Sequence, residues 1–455
     1  MKTSRRKKGG WHSRSVVLLA ELLLGAGGFS ACSRGNRAGS GGVLGPLVTI
    51  AQAGPDRYFV EPYLAVDPGD AGHLVATAIE FSRPHGTRCA AFVSRDRGAT
   101  WRESPPRGWN RPRYGMDPWL AFGSAGSVYL SCIETTQSPS PVEIFRSVDG
   151  GDTWGEPLRV PFGKGSSFDH TALLADDTTT PSRGRLWLLG LQSVRTETGP
   201  GVVASLSMSL GAGLPFGEPR EGVVTPGGFN VSSPALLSDG TVVFPVLTVD
   251  DANESGPTGL SLVRFAQGAE SFSEARKIAG QGAHEFPGFA VRRCGSPARD
   301  RLLVAWIRKV GTTDELTFLR SLDGGERWSQ PHRIDDVGRG ASLLQPTVAV
   351  GPGEEVAVSW LEAQLGGDEV CWELFAAISE DDGVSFGVPL RVSTSPSCAV
   401  PRSRWRGAGD YMGLAFAGPE LHLLWAGGPA DRYALQTRTL RLPGLDSEDG
   451  GGCEG

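Results

Sequence analysis

The sequence carries no excess of positive charge: 44 Lys and Arg stand against 50 Asp and Glu. A nucleic-acid surface needs a basic face, so DNA and RNA are not expected partners. The apolar run Val16–Phe29, interrupted by Glu21, is too short to cross a bilayer. Charged residues are only 21% of the chain against 39% hydrophobic, which excludes wholesale disorder. Gly and Pro are plentiful, 64 and 32, yet they lack the three-residue period of collagen. The seven Cys form no CxxC pair or Cys/His cluster, and no stretch resembles a calcium loop. No metal or cofactor is therefore expected. Lys-rich or Ala-rich helical stretches are also scarce. What remains, a chain rich in Gly, Pro and Trp, points to many short strands joined by tight turns.

The start of the chain has the layout of an export signal. Lys2, Arg5, Arg6, Lys7, Lys8 and Arg14 precede the apolar run, which ends in Phe29-Ser30-Ala31-Cys32. That ending resembles a bacterial lipobox, which implies cleavage before Cys32 and lipidation of its thiol. Residues 1–31 are then a signal peptide and 32–45 a flexible tether rich in Gly, Ser, Asn and Arg. The expected location is the bacterial cell envelope, as a membrane-anchored lipoprotein, with a secreted protein as the alternative. Without residues 1–31 the chain has 38 basic and 49 acidic residues, a formal charge of −11. Six Cys remain for disulfides, with fifteen possible pairings; Cys89–Cys132 and Cys371–Cys398 each lie within one repeat or on neighbouring ones.

Two repeats organise the rest. Ser94-Arg95-Asp96-Arg97-Gly98-Ala99-Thr100-Trp101 recurs at 147–154, 321–328 and 379–386, and worn copies end in Phe216 and Phe272. The anchoring aromatics 101, 154, 216, 272, 328 and 386 are 53, 62, 56, 56 and 58 residues apart. A second repeat is an apolar strand that opens each unit, often with Pro at its second place. It opens at Glu61-Pro62, Asp117-Pro118, His170-Thr171, Ser233-Pro234, Phe286-Pro287, Gln345-Pro346 and Tyr411-Met412. The first repeat resembles the Asp-box, or bacterial neuraminidase repeat, of the sialidase superfamily.

That resemblance implies an all-β fold with a single β-propeller. It places each box between the third and fourth strands of a blade, where Asp96, Asp149, Asp323 and Asp381 are structural. Seven openings against six boxes favour seven blades, with six as the alternative. The last unit has three strands and no box. Residues 46–51 can supply its missing outer strand and close the ring. The propeller then spans 46–443, and 444–455 is a disordered Gly-rich, acidic tail.

Propellers bind ligands where the loops entering the innermost strands converge. Those loops carry Arg113, Asp117, Asp169, His170, His284, Glu285, Gln345, Arg404, Arg406, Asp410 and Tyr411. Carboxylates, guanidinium groups and aromatics drawn from several blades suit a glycan. Glu61, Asp117, Asp410 and Tyr411 are the candidate catalytic residues. Arg113, Asp169, His170, His284, Glu285, Gln345, Arg404 and Arg406 are candidates for substrate binding. The sialidase resemblance implies an Arg triad, an Asp acid/base and a Tyr nucleophile. Val60 stands where its first Arg is expected, in Phe59-Val60-Glu61-Pro62. Three readings stay open: a monomeric glycan-binding propeller with hydrolysis unproven, a glycoside hydrolase with a non-standard carboxylate/Tyr set, and a non-catalytic envelope scaffold.

Overall fold

The computed structural model describes residues 42–83, 86–106, 115–123, 126–161, 167–196, 199–211, 215–226, 232–249, 257–280, 282–283, 285–334, 342–366, 369–399, 408–429, 432–443 and 453. The signal segment, Cys32, Arg113, His284, Arg404 and Arg406 lie outside these residues.

Seven antiparallel sheets follow one another along the chain. Blade 1 is Arg57–Asp67, Asp70–Ser82, Gly86–Ser94 and Arg102–Glu103, each strand paired with the next. Blades 2 to 6 repeat this order, with inner strands Gly115–Phe122, Phe168–Ala175, Ala235–Leu236, Gly288–Arg292 and Ser342–Val350. Blade 7 is Gly413–Ala417, Glu420–Gly427 and Ala434–Arg441. Its outer strand comes from the other end of the chain: Val48 pairs with Thr437 and Ala51 with Leu435. Val43 and Leu44, expected in the tether, also pair with Arg441 and Leu440, so ordered chain begins earlier than the composition suggested.

The core explains why the sheets form a ring. Apolar residues do not collect into one centre but into seven clusters, each between two successive blades. Phe59 and Leu74 of blade 1 pack with Leu424 and Leu435 of blade 7. Val75 and Val93 of blade 1 pack with Leu130 and Phe145 of blade 2. The aromatic of every turn repeat enters the cluster shared with the preceding blade: Trp101, Trp154, Phe216, Phe272, Trp328 and Phe386. Blade 7 has no such turn, and Trp372, Trp425 and Tyr433 fill its boundary with blade 6. Two-sided burial of this kind explains the near-continuous apolar runs of the middle strands.

The turn repeats join third to fourth strands in blades 1, 2, 5 and 6. In each, one carboxylate closes the turn. Asp149 accepts hydrogen bonds from Ser147 Oγ (2.7 Å), Thr153 N (2.8 Å) and Thr153 Oγ1 (2.6 Å). Ser147 Oγ in turn accepts from Gly151 N at 2.7 Å. Asp96, Asp323 and Asp381 are held in the same way. Two consecutive left-handed residues, Gly150 and Gly151 with φ of 72° and 93°, bend the chain at little steric cost. The registers Val66 with Leu74 and Leu74 with Ser94 set these turns level with the far ends of the inner strands. They therefore lie on the face opposite the loops that enter the inner strands.

Disulfides Cys89–Cys132, between blades 1 and 2, and Cys371–Cys398, within blade 6, form as the spacing suggested. The third, Cys294–Cys453, ties the end of the chain to blade 5, against the expectation of a wholly free tail.

Candidate functional site

Four inner strands share one irregularity. In blade 1 Val60 pairs with Ile79 and Tyr63 with Thr77, so Glu61 and Pro62 together face the single residue Ala78. The same two-against-one bulge holds Asp117-Pro118, His170-Thr171 and Gln345-Pro346 in blades 2, 3 and 6. The first residue of each bulge is left-handed, with φ of 52° at Glu61, 49° at Asp117, 48° at His170 and 54° at Gln345. Side-chain-bearing residues in that region cost about 1–2 kcal/mol each, where Gly would cost far less. Pro follows in three of the four, where the broken ladder requires no N–H. The corresponding Ser233, Phe286 and Tyr411 of the other blades have no positive φ.

The bulges bring His170 and Gln345 into one recess, with Asp117 and Glu61 close behind. Asp117 Oδ2 accepts the His170 N–H at 2.8 Å, linking blades 2 and 3. The His170 ring lies between two carboxylates, with Nε2 3.1 Å from Asp410 and Nδ1 3.6 Å from Asp169. Gln345 Nε2 donates to the carbonyl of Gly409. Gly409 is required there: its φ is 118°, and a Cβ would sit 2.2 Å from Glu61 Cγ. Glu61 itself is only 4% exposed, and its Oε2 is buried with no hydrogen-bond partner. An aromatic wall completes the recess. Tyr63 stacks on Trp119 with centroids 3.8 Å apart, Trp119 meets Tyr411 edge-on at 5.3 Å, and Phe286 lies 4.5 Å from His170. The cavity is about 180 Å³ and open to solvent, below the roughly 300–1,000 Å³ of drug-sized sites.

Crowded carboxylates set the electrostatics. Burial, then the charges of Asp117 and Asp410, raise the Glu61 carboxyl well above its ordinary value. Burial and the neighbouring Asp169 push Asp117 up to about 6. Burial opposes the charged form of His170, yet the Asp410 hydrogen bond and the charges of Asp169 and Asp117 carry it to about 10. Burial holds Tyr63 up at about 12 and also raises Tyr411 well above its ordinary value, Glu61 and Asp117 adding to the effect there.

The structure thus brings together Glu61, Asp117, Asp169, His170, Gln345, Asp410 and Tyr411. Two of the catalytic assignments change in character. The Tyr411 hydroxyl donates to the Pro118 carbonyl at 3.4 Å and stays protonated, which suits a wall better than a nucleophile. Glu61 is buried, 4% exposed, with Gly409 packed closely against its side chain. Glu285 adjoins Phe286 but is not among the described residues that line the recess. Arg292 and Arg293 sit at the far end of their strand, away from the recess. Arg292 is buried against the Gly351 and Glu355 carbonyls and Asp382, and Arg293 forms a two-pronged pair with Asp177. Sequence reasoning missed Tyr63 and Trp119, although both follow a polar-Pro opening by one residue.

No protein-family model matches the chain, and no curated protein matches it. Among solved structures it is similar to a protein of unknown function from Dyadobacter fermentans, at 14% identity and a TM-score of 0.49 over 88% of this chain and 99% of that one. A Penicillium chrysogenum alpha-L-arabinanase complexed with arabinobiose aligns at 15% identity and a TM-score of 0.45, covering 89% and 99%. The phage phi92 endosialidase aligns at 12% identity and a TM-score of 0.49, covering 90% and 70%. These likenesses concern chain path alone.

Proposed function

We propose that this chain is an Asp-box propeller that binds a carbohydrate or glycoconjugate at its channel mouth. The observation that carries the reading is the set of four left-handed polar residues from four blades: His170 and Gln345 line one aromatic-walled recess, Asp117 accepts the His170 N–H behind it, and Glu61 is buried within electrostatic reach of both Asp117 and His170. Strain of this kind persists where function requires it. Asp169, Asp410 and His170 offer acceptors and a donor to sugar hydroxyls, and Tyr63, Trp119 and Tyr411 offer faces for a ring. Binding is favoured over hydrolysis because the buried Glu61 carboxyl and the engaged Tyr411 hydroxyl are poorly placed to reach a glycosidic oxygen.

The turn geometry of Asp96, Asp149, Asp323 and Asp381 supports the Asp-box assignment, since each carboxylate is consumed by its own turn. The basic-then-apolar start and Cys32 support export and lipid anchoring of a monomer in a bacterial envelope.

A glycan array, run beside a panel of aryl glycosides that includes a sialoside, tests this reading. Expected are a defined set of bound glycans, no turnover, and loss of signal in Asp169→Asn/Asp410→Asn. Turnover of a glycoside would replace binder with hydrolase. An empty array with no turnover would leave the scaffold reading.

A further inference from the structure

The mouth has a surplus of carboxylates: Glu61, Asp117, Asp169 and Asp410 share the single imidazole of His170. One donor atom each from Asp117, Asp169 and His170 lie within 4.8 Å of one another. Metal–ligand bonds of about 2.0–2.2 Å put donors of one site at most about 4.4 Å apart. Asp169, whose side chain is 57% exposed, has the freedom to close that small gap. The other two donors are already fixed. Asp117 is held by the His170 N–H, and both sit on left-handed bulges. Asp410 engages His170 Nε2 at 3.1 Å, which leaves Nδ1 facing Asp169. A carboxylate on one imidazole nitrogen, orienting the other toward an ion, is the usual outer support of a histidine ligand.

A second observation stands apart from the cluster. Glu61 is 4% exposed, its Oε2 has no hydrogen-bond partner, and Asp117, Asp169, Asp410 and His170 all lie within its electrostatic reach. An unpartnered carboxylate buried among carboxylates is costly unless a cation shares the space. Mixed oxygen and imidazole donors suit Zn²⁺ or Mn²⁺ better than Ca²⁺, which prefers oxygen alone.

We propose that the channel mouth binds one divalent cation of the Zn²⁺ or Mn²⁺ type through Asp117, Asp169 and His170, with Glu61 buried within electrostatic reach of them. No spacing motif marks this site, because its donors come from two blades. The inference deepens the glycan reading: the cation presents a positive contact to sugar hydroxyls in an otherwise acidic recess.

Isothermal titration of untagged, chelator-stripped protein with Zn²⁺, Mn²⁺ and Ca²⁺ tests it, with metal content checked after dialysis. Expected is one equivalent of Zn²⁺ or Mn²⁺, with Ca²⁺ weaker. Asp117→Asn and His170→Gln, shown folded by far-UV circular dichroism, should each lose affinity by about tenfold or more. Binding of neither metal, or binding unchanged in both variants, overturns the proposal. The glycan array is repeated with and without chelator. Glycan binding by protein that takes up no metal overturns the cation and leaves the glycan reading intact. One bound cation with an empty array supports the cation and removes the glycan reading.

Discussion

The two faces of the propeller use the same ingredients, left-handed residues and carboxylates, to opposite ends. On the turn-repeat face the bent positions are mostly Gly, and each Asp accepts bonds from its own turn. The result is a carboxylate held below its ordinary range: hydrogen bonds outweigh desolvation and bring Asp149 down to about 2. At the mouth the bent positions carry Glu, Asp, His and Gln, and burial drives Glu61 and Asp117 upward. One face lowers the free energy of the fold. The other raises it, which is the signature of residues kept for what they bind.

The sharpest way to break this contrast is at the contact where the mouth has no slack. Gly409→Ala places a Cβ 2.2 Å from Glu61 Cγ at a φ of 118°. We expect a loss of about 1–3 kcal/mol in urea unfolding and more than a tenfold loss of glycan binding. A variant that binds normally would show that this loop does not shape the site.

Acid titration sharpens the other side. Because Asp96, Asp149, Asp323 and Asp381 all have lowered folded values, they contribute stability above an unfolded pKa near ~4. That contribution disappears as pH falls through the folded values, about 2 for Asp149. Urea midpoints should therefore drop between pH 4 and pH 2, and replacing all four Asp with Asn should flatten the drop. An unchanged profile in that variant would remove the turns as its source.

The smallest effect concerns Arg97, an exposed left-handed residue with φ of 59° where two sister turns carry Gly150 and Gly324. Its ion pair with Glu420, at 3.6 Å and with the Arg97 side chain exposed, is worth little. Arg97→Gly should gain less than about 1 kcal/mol in the same unfolding assay. A clear loss would mean that left-handed strain is not what separates the two faces.

The fold was legible because its devices are local and repeated. A turn that needs Ser, Asp and Gly at fixed offsets, followed by an aromatic, writes itself into the sequence four times, with two worn copies between. The polar-Pro openings marked the inner strands for the same reason, since Pro is tolerated where a bulge breaks the ladder. The mouth was legible only in part. Glu61, Asp117, Asp169, His170, Gln345, Asp410 and Tyr411 were named as candidates, but burial of Glu61 depends on Gly409, which lies 348 positions away. The Tyr411–Pro118 contact and the stacking of Tyr63 on Trp119 likewise depend on how blades meet. So does the partner of Cys294, which comes from the end of the chain.

One paired experiment tests the division most directly. Asp117→Asn keeps an acceptor for the His170 N–H while removing a charge from the acidic cluster; Asp149→Asn removes one acceptor from a satisfied turn, at about 1 kcal/mol. Urea midpoint and glycan-array signal are measured on both. The account predicts that Asp117→Asn keeps or raises its midpoint and loses the array signal, whereas Asp149→Asn loses midpoint and keeps the signal. An Asp117→Asn protein destabilised as much as Asp149→Asn, with its glycan signal intact, would contradict it.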